Sequence, residues 1–208
     1  MRVFMNKAMS DYDPSHDAAH VERVVNLTQK LLQREVSGQY NSTVAVLSAL
    51  LHDIEDHKYR ASSPIETNPP RVVYSALLQA GAAPELAQRV ETIVNHVSYS
   101  QEKKDPNVVT HLIENGFPEL ALVQDADRLD AIGAIGIGRC FTFLGAKGKD
   151  LGGPWKMDSA LDHLREKLMQ LEGTMKTETG KSLAAARAQR LREFERWWVQ
   201  ERMDDIDM

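Results

Sequence analysis

Apolar residues recur at three- and four-residue intervals along nearly the whole chain, and the alternation of a half-buried strand is almost absent. Asp13-Pro14-Ser15 reads as a helix opening, since proline suits the first turn and Asp or Ser can cap it. Val21, Val24, Val25, Thr28, Leu31 and Leu32 follow on one face, and Ser37-Gly38 ends the element. Thr43 is the expected cap of a second helix. Its residues 44–51 are apolar nearly all round, as suits a core helix, and it runs into His52-Asp53-Ile54-Glu55-Asp56. Residues 61–70 hold three prolines and two serines and read as a loop.

Further helices are expected over about 70–79, from Pro84 with Leu86, Val90, Ile93 and Val94, over 108–114, and from Pro118 with Leu120, Leu122, Val123, Leu129 and Ile132. Polar residues 98–107 read as loop. Gly133, Gly136 and Gly138 lie in an apolar stretch at a spacing that suits close helix approach, and 145–154 reads as a long mobile loop. Two amphipathic helices finish the chain, one over 161–171 and one carrying Leu183, Leu191, Phe194, Trp197 and Trp198. The expected fold is all-α, a single-domain bundle of about eight or nine helices spanning 1–208. Its core region is about 13–145, with C-terminal helices over about 158–204 packed on it.

Composition narrows the classes. A chain of 208 residues, 42% hydrophobic and 26% charged, belongs with ordinary folded domains. A net charge of −5 argues against a dedicated nucleic-acid binder, while a local cationic site or a metal still allows phosphorylated substrates. The single cysteine, Cys140, excludes an intramolecular disulfide and reads as a buried thiol. No secretory h-region and no membrane-length apolar stretch occur, so the expected compartment is the cytoplasm.

Polar residues that interrupt the apolar pattern are the informative ones. His20 lies on the first helix, His52 and Asp53 end the most apolar helix, and Asp125, Asp127 and Asp130 interrupt another. Buried carboxylates need compensation, and a divalent cation compensates carboxylate and neutral imidazole together. Two His and two Asp form a mixed N/O set suited to Mn²⁺, Fe²⁺, Co²⁺, Ni²⁺ or Zn²⁺ more than Ca²⁺. The plain alternative is a set of hydrogen-bonded core histidines and a solvated acidic helix face.

Asp17-x-x-His20, Leu51-His52-Asp53-Ile54-x-Asp56 and Gln124-Asp125-Ala126-Asp127-Arg128-Leu129-Asp130-Ala131 together resemble the HD (His-Asp) superfamily of metal-dependent phosphohydrolases. The resemblance implies metal ligands at His20, His52, Asp53 and Asp127, with Asp125 as a substrate-positioning or catalytic group. Ser15-His16-Asp17-x-x-His20-x-x-Arg23-Val24, residues 131–141 and Met175-x-Thr177-x-Thr179-Gly180-Lys181-x-Leu183-Ala184 are similar to a subgroup of stand-alone bacterial and fungal HD hydrolases. Some members of that subgroup are nucleotide pyrophosphohydrolases. The resemblance covers about residues 13–200 and implies one divalent ion, manganese foremost, with Mg, Co, Ni, Fe or Zn as alternatives. The extra histidine pair of two-metal HD phosphodiesterases is missing around His57 and His96.

The chemistry so implied is attack of activated water on phosphorus. Glu55 and Asp56 are the candidate general bases, because both follow the His-Asp pair within a helical turn. Arg23, Lys58 and Arg128 are the candidate phosphate-binding residues. Arg139 is a further candidate, and Arg128 and Arg139 can instead pair with Asp125 or Asp130. Lys147 and Lys149, among glycines, form a candidate lid. His96 and His163 read as structural or exposed. His16 and His20 stand four apart, but Asp17 replaces the glutamate a zinc protease would need, and no P-loop or dinucleotide fingerprint occurs. The expected activity is conversion of a nucleoside triphosphate to monophosphate and pyrophosphate. The alternatives are a phosphomonoesterase acting on nucleoside monophosphates or another metabolite, and a non-catalytic binding module. Neither nucleic acid nor membrane is expected as a partner, and the chain reads as a monomer or homodimer.

Overall fold

A computed structural model describes residues 1–35, 39–54, 71–148 and 156–204, and among these no strand occurs. The helices are α1 (Arg2–Ala8), α2 (Ala18–Arg34), α3 (Ser42–Leu51), α4 (Val72–Gln79), α5 (Pro84–Val94), α6 (Tyr99–Lys104), α7 (Pro106–Glu114), α8 (Glu119–Asp130), α9 (Gly133–Lys147), α10 (Asp158–Glu166) and α11 (Glu178–Asp204). A 3₁₀ segment, Leu168–Thr174, joins α10 to α11. The all-α class is as expected, and the helix count is higher for identifiable reasons. α1 was not expected, α6 falls in the stretch read as loop, and the expected 161–171 helix divides into α10 and the 3₁₀ segment.

α8 is the axis of the fold. It packs on α2, α3, α5, α7, α9 and α11, and all its residues except Asp127 are buried. A helix covered on every side must satisfy or neutralise each polar group it carries. Glu119 does so by accepting from the Asn41 backbone N–H and from Arg89. Asp125 and Asp130 do so as described below, and Arg128 pairs its Nη1 and Nη2 groups while its Nε is buried without a hydrogen bond.

Local chemistry fixes the other helices that reach the site. Asp17 is the N-cap of α2, accepting from the His20 backbone N–H at 3.0 Å. The cap therefore lies beyond both Asp13 and Ser15, the expected ones. Asp13 instead closes a turn by accepting from the backbone N–H and hydroxyl of Ser15. Asn41, not Thr43, caps α3, accepting from the Val44 N–H at 3.1 Å. Val44, Ala45, Ala49, Leu50 and Leu51 bury in one continuous core with Val21, Val24, Leu31, Leu120, Leu122 and Leu129. Gly136 lets α9 start against α8, because a Cβ there would overlap the Ala131 carbonyl. α9 continues through Gly145 and Lys147, so the expected 145–154 loop is helical in its first part. Its remainder, with Lys149, and the expected 61–70 loop lie outside the described residues.

Candidate metal centre

His20 sits in the first turn of α2, where the Asp17 cap fixes it. His52 and Asp53 follow the last residue of α3, and Asp127 projects from the one partly exposed position of α8. These four converge. His20 Nε2 lies 3.3 Å from His52 Nε2, 3.3 Å from Asp53 Oδ2 and 3.6 Å from Asp127 Oδ1. His52 Nε2 lies 3.6 Å from Asp53 Oδ1 and 3.7 Å from Asp127 Oδ1.

The partners of the outer ring nitrogens set the chemistry of the inner ones. His20 Nδ1 lies 2.8 Å from Asp130 Oδ2, and His52 Nδ1 lies 2.8 Å from the Ala49 carbonyl oxygen. Both neighbours are acceptors, so both Nδ1 atoms carry the proton. In the neutral rings each Nε2 then presents a lone pair toward the other and toward two carboxylates. The result is a nest of acceptors with no donor facing them, and Asp53 Oδ2 is buried there without a hydrogen bond. Such a nest requires a cation or a proton. A divalent ion fits it, since neutral imidazole and carboxylate are its ligands of choice. His20, His52 and Asp53 alone bring ligand atoms within 4.8 Å of one another.

A proton can serve in the metal's place. Burial alone would depress the His52 imidazole, but the charges of Asp53 and Asp127 outweigh it and hold His52 up at about 9. Burial likewise opposes ionisation of Asp53 and Asp127, yet the imidazoles keep both well below the usual carboxylate range.

Asp130 supports this nest from behind. Besides His20, it accepts from Arg23 Nε at 2.8 Å and Nη2 at 3.0 Å, and from Arg139 Nη1 at 3.1 Å. Burial would raise its carboxyl, but those hydrogen bonds and charges hold it at about 2. A permanently ionised carboxylate on Nδ1 fixes the His20 tautomer and keeps Nε2 free to bind metal.

The open side of the nest faces a cavity of about 480 Å³. His52, Asp53 and Asp127 line it with Arg139 and Phe143 of α9, Asn95, Tyr99, Gln101 and Lys104 before and on α6, and His163 and Lys167 beyond. Among the described residues its only carboxylates are the two that face the histidines, and the other charged groups described on its wall are basic.

No family model matches the chain. YpgQ of Bacillus subtilis, an uncharacterized protein, is 33% identical over 196 residues, covering 94% of this chain and 89% of YpgQ. The crystal structure of YpgQ in complex with ADP matches with a TM-score of 0.72 and 30% identity, over 96% of this chain and 92% of that one. An HD-superfamily hydrolase of Bacillus thuringiensis matches with a TM-score of 0.67 and 30% identity, over 96% and 93% of the two chains. The chain belongs to the HD superfamily of metal-dependent phosphohydrolases.

The HD hydrolase places its other expected site residues unevenly. Asp125 does not face the nest. Its carboxylate accepts from the backbone N–H groups of Lys176 (2.9 Å) and Thr177 (2.8 Å) and from the Thr177 hydroxyl (2.8 Å). Those bonds fasten the approach to α11 and leave it no catalytic contact. Arg23, expected to bind substrate, is bidentate to Asp130 and does not line the cavity. Arg128 does line it, but its side chain is only 1% exposed and is spent on Glu102 and the Thr174 carbonyl. Glu55, Asp56 and Lys58 lie outside the described residues. Asp130, Lys104 and Lys167 join the site without having been expected there. The three-residue step from Asp127 to Asp130 was a signal for the first, because it puts both on one helix face. No local signal marked the lysines.

No single helix among the described residues is long and apolar enough to cross a membrane.

Proposed function

We propose that this HD hydrolase cleaves a nucleoside triphosphate to the monophosphate and pyrophosphate, with one divalent ion, manganese foremost, on His20, His52, Asp53 and Asp127. The observation that carries the reading is the 480 Å³ cavity with the acceptor nest on one wall and Lys104, Lys167 and His163 on another. A lone orthophosphate needs far less room, whereas about 300–1,000 Å³ is the ordinary size for a drug-sized ligand. Basic groups beyond the nest match a phosphate chain longer than one unit, and Tyr99 and Phe143 offer aromatic surface for a base. YpgQ, the relative crystallised with ADP, supports a nucleotide ligand.

When bound, the metal acidifies a water and withdraws charge from a phosphoryl oxygen. The chain's own residues do the rest. Asp130 keeps His20 in the tautomer that leaves Nε2 free, and the Ala49 carbonyl does the same for His52. Lys104 and Lys167 hold the charge of the departing phosphates. Water oxygen bonds to the α-phosphorus, the bond from that phosphorus to the bridging oxygen breaks, and the electron pair leaves with pyrophosphate. We assign the water's proton to Glu55 or Asp56, following the HD resemblance, and a phosphate contact to Lys58. The buried single cysteine suits the reducing cytoplasm we propose as its location.

The test is product analysis by chromatography after incubating Mn²⁺-loaded protein with nucleoside tri- and monophosphates, using H52A/D53A as the blank. Monophosphate plus pyrophosphate in equal amounts is expected. Orthophosphate released from a monophosphate would replace this reading with the phosphomonoesterase.

A further inference from the structure

We infer that Arg139 is the fixed phosphate-binding arm of the metal pocket, reading an anion directly beside the nest. The inference rests on the nucleotide reading only for the identity of that anion. Arg139 projects from α9 into the cavity wall shared with His52, Asp53 and Asp127. Its guanidinium is anchored through two of its three nitrogens. Nε donates to the Ser15 carbonyl at 2.6 Å, and Nη1 donates to Asp130 Oδ2 at 3.1 Å. The Nη2 group has no hydrogen-bond partner among the described residues, and the side chain retains 12% exposure.

A guanidinium held through Nε and Nη1 with Nη2 open is preorganised for a phosphate oxygen, because little side-chain freedom remains to be lost on binding. The other two arginines around the nest lack this combination. Arg23 gives its fork to Asp130 and stays outside the cavity, and Arg128 is buried against Glu102 and Thr174. The charge balance agrees. Asp130 carries one negative charge and receives two arginines as well as His20. Arg23 already supplies the bidentate partner, so the positive charge of Arg139 is only partly used by the protein. The surplus lies on the wall of the same cavity that His52, Asp53 and Asp127 line. Asp130 thereby joins a metal-facing histidine and a substrate-facing arginine through one carboxylate.

The experiment is calorimetric titration of inorganic pyrophosphate into Mn²⁺-loaded full-length protein, as wild type, R139Q, R139K and R23Q, with Mn²⁺ affinity measured separately on each. R139Q is expected to lose at least tenfold in pyrophosphate affinity while Mn²⁺ affinity stays within about threefold. R139K is expected to lose at least threefold, because a compact ammonium cannot span the positions that three guanidinium nitrogens take toward Ser15, Asp130 and a phosphate. R23Q is expected to bind pyrophosphate within about threefold of wild type. Equal losses in R23Q and R139Q would reduce Arg139 to a partner of Asp130 and overturn the inference. So would unchanged pyrophosphate binding in R139Q, or in R139K should R139Q fail to fold. Pyrophosphate binding needs no turnover. An absence of nucleotide hydrolysis with the R139Q loss intact would therefore sink the nucleotide reading and leave this one standing.

Discussion

Asp125→Ala separates a structural carboxylate from a catalytic one. The substitution strips the acceptor from three donors at once: the Lys176 N–H, the Thr177 N–H and the Thr177 hydroxyl. Two of the three sit in fully buried surroundings, so water cannot replace the lost partner without local opening. Each buried donor left unsatisfied costs about 1–3 kcal/mol. The lower end applies here. Burial raises the Asp125 carboxyl above its ordinary value even against those hydrogen bonds, so the native ion is itself incompletely compensated. About 3 kcal/mol of lost stability follows, which for a domain of this size lowers Tm by about 6–12 °C. The assay is differential scanning calorimetry alongside Mn²⁺ titration and turnover at a temperature well below the lowered Tm. Mn²⁺ affinity and kcat are expected within threefold of wild type. A variant with native Tm and abolished turnover would refute the assignment and return Asp125 to the catalytic role that the sequence pattern suggested.

Gly180→Ala should destabilise by the same route, because its Cβ would overlap the Asp125 carboxylate and the Thr177 hydroxyl, and a Tm drop comparable to that of Asp125→Ala is expected in the same scan. Mn²⁺ uptake at pH 7.5 should expel about one proton from His52, whose imidazole stands at about 9 without metal. Calorimetry in two buffers of different ionisation enthalpy reads that proton directly, and its release should vanish as pH rises past 9; no buffer dependence at pH 7.5 would contradict the protonated nest. Burial pushes the Cys140 thiol up to about 11, so the native protein should resist a thiol reagent at pH 8 and react fully in denaturant. The stability this thiol contributes as a neutral group is present below its unfolded value near 9 and is lost as pH climbs through 11.

The HD helices were legible because their spacing is regular and their polar exceptions are few. Val21, Val24 and Leu31 on α2, and the apolar run of α3, announce both the helices and the buried place of His20 and His52. α6 was not legible, since Tyr99–Lys104 has almost no apolar face, and none of its residues is buried. Cap positions slipped for a related reason. Asp13, Ser15 and Asp17 all suit an N-cap, and only the fold decides that Asp13 closes a turn while Asp17 receives the His20 N–H. Arg23 and Arg139 are indistinguishable by composition, yet one is consumed by Asp130 and the other opens on the cavity. That difference is created by chain segments more than a hundred residues apart, where local pattern carries no information.

The three aspartates of α8 show how much a short spacing decides. At about 100° per residue, Asp125 and Asp127 point about 160° apart, whereas Asp127 and Asp130 lie about 60° apart. One side of the helix therefore presents Asp127 to the nest and Asp130 to the back of His20. The opposite side presents Asp125 to the segment that leads into α11. Because α8 is buried along its length, it cannot rotate to exchange these duties without moving Leu120, Leu122 and Leu129 out of the core. The C-terminal anchor and the metal nest are thus mounted on one rod but on different faces. Loss of the anchor should loosen α11 without changing the distances among His20, His52, Asp53 and Asp127. That independence is why the Asp125→Ala experiment reads stability and metal chemistry as separate quantities.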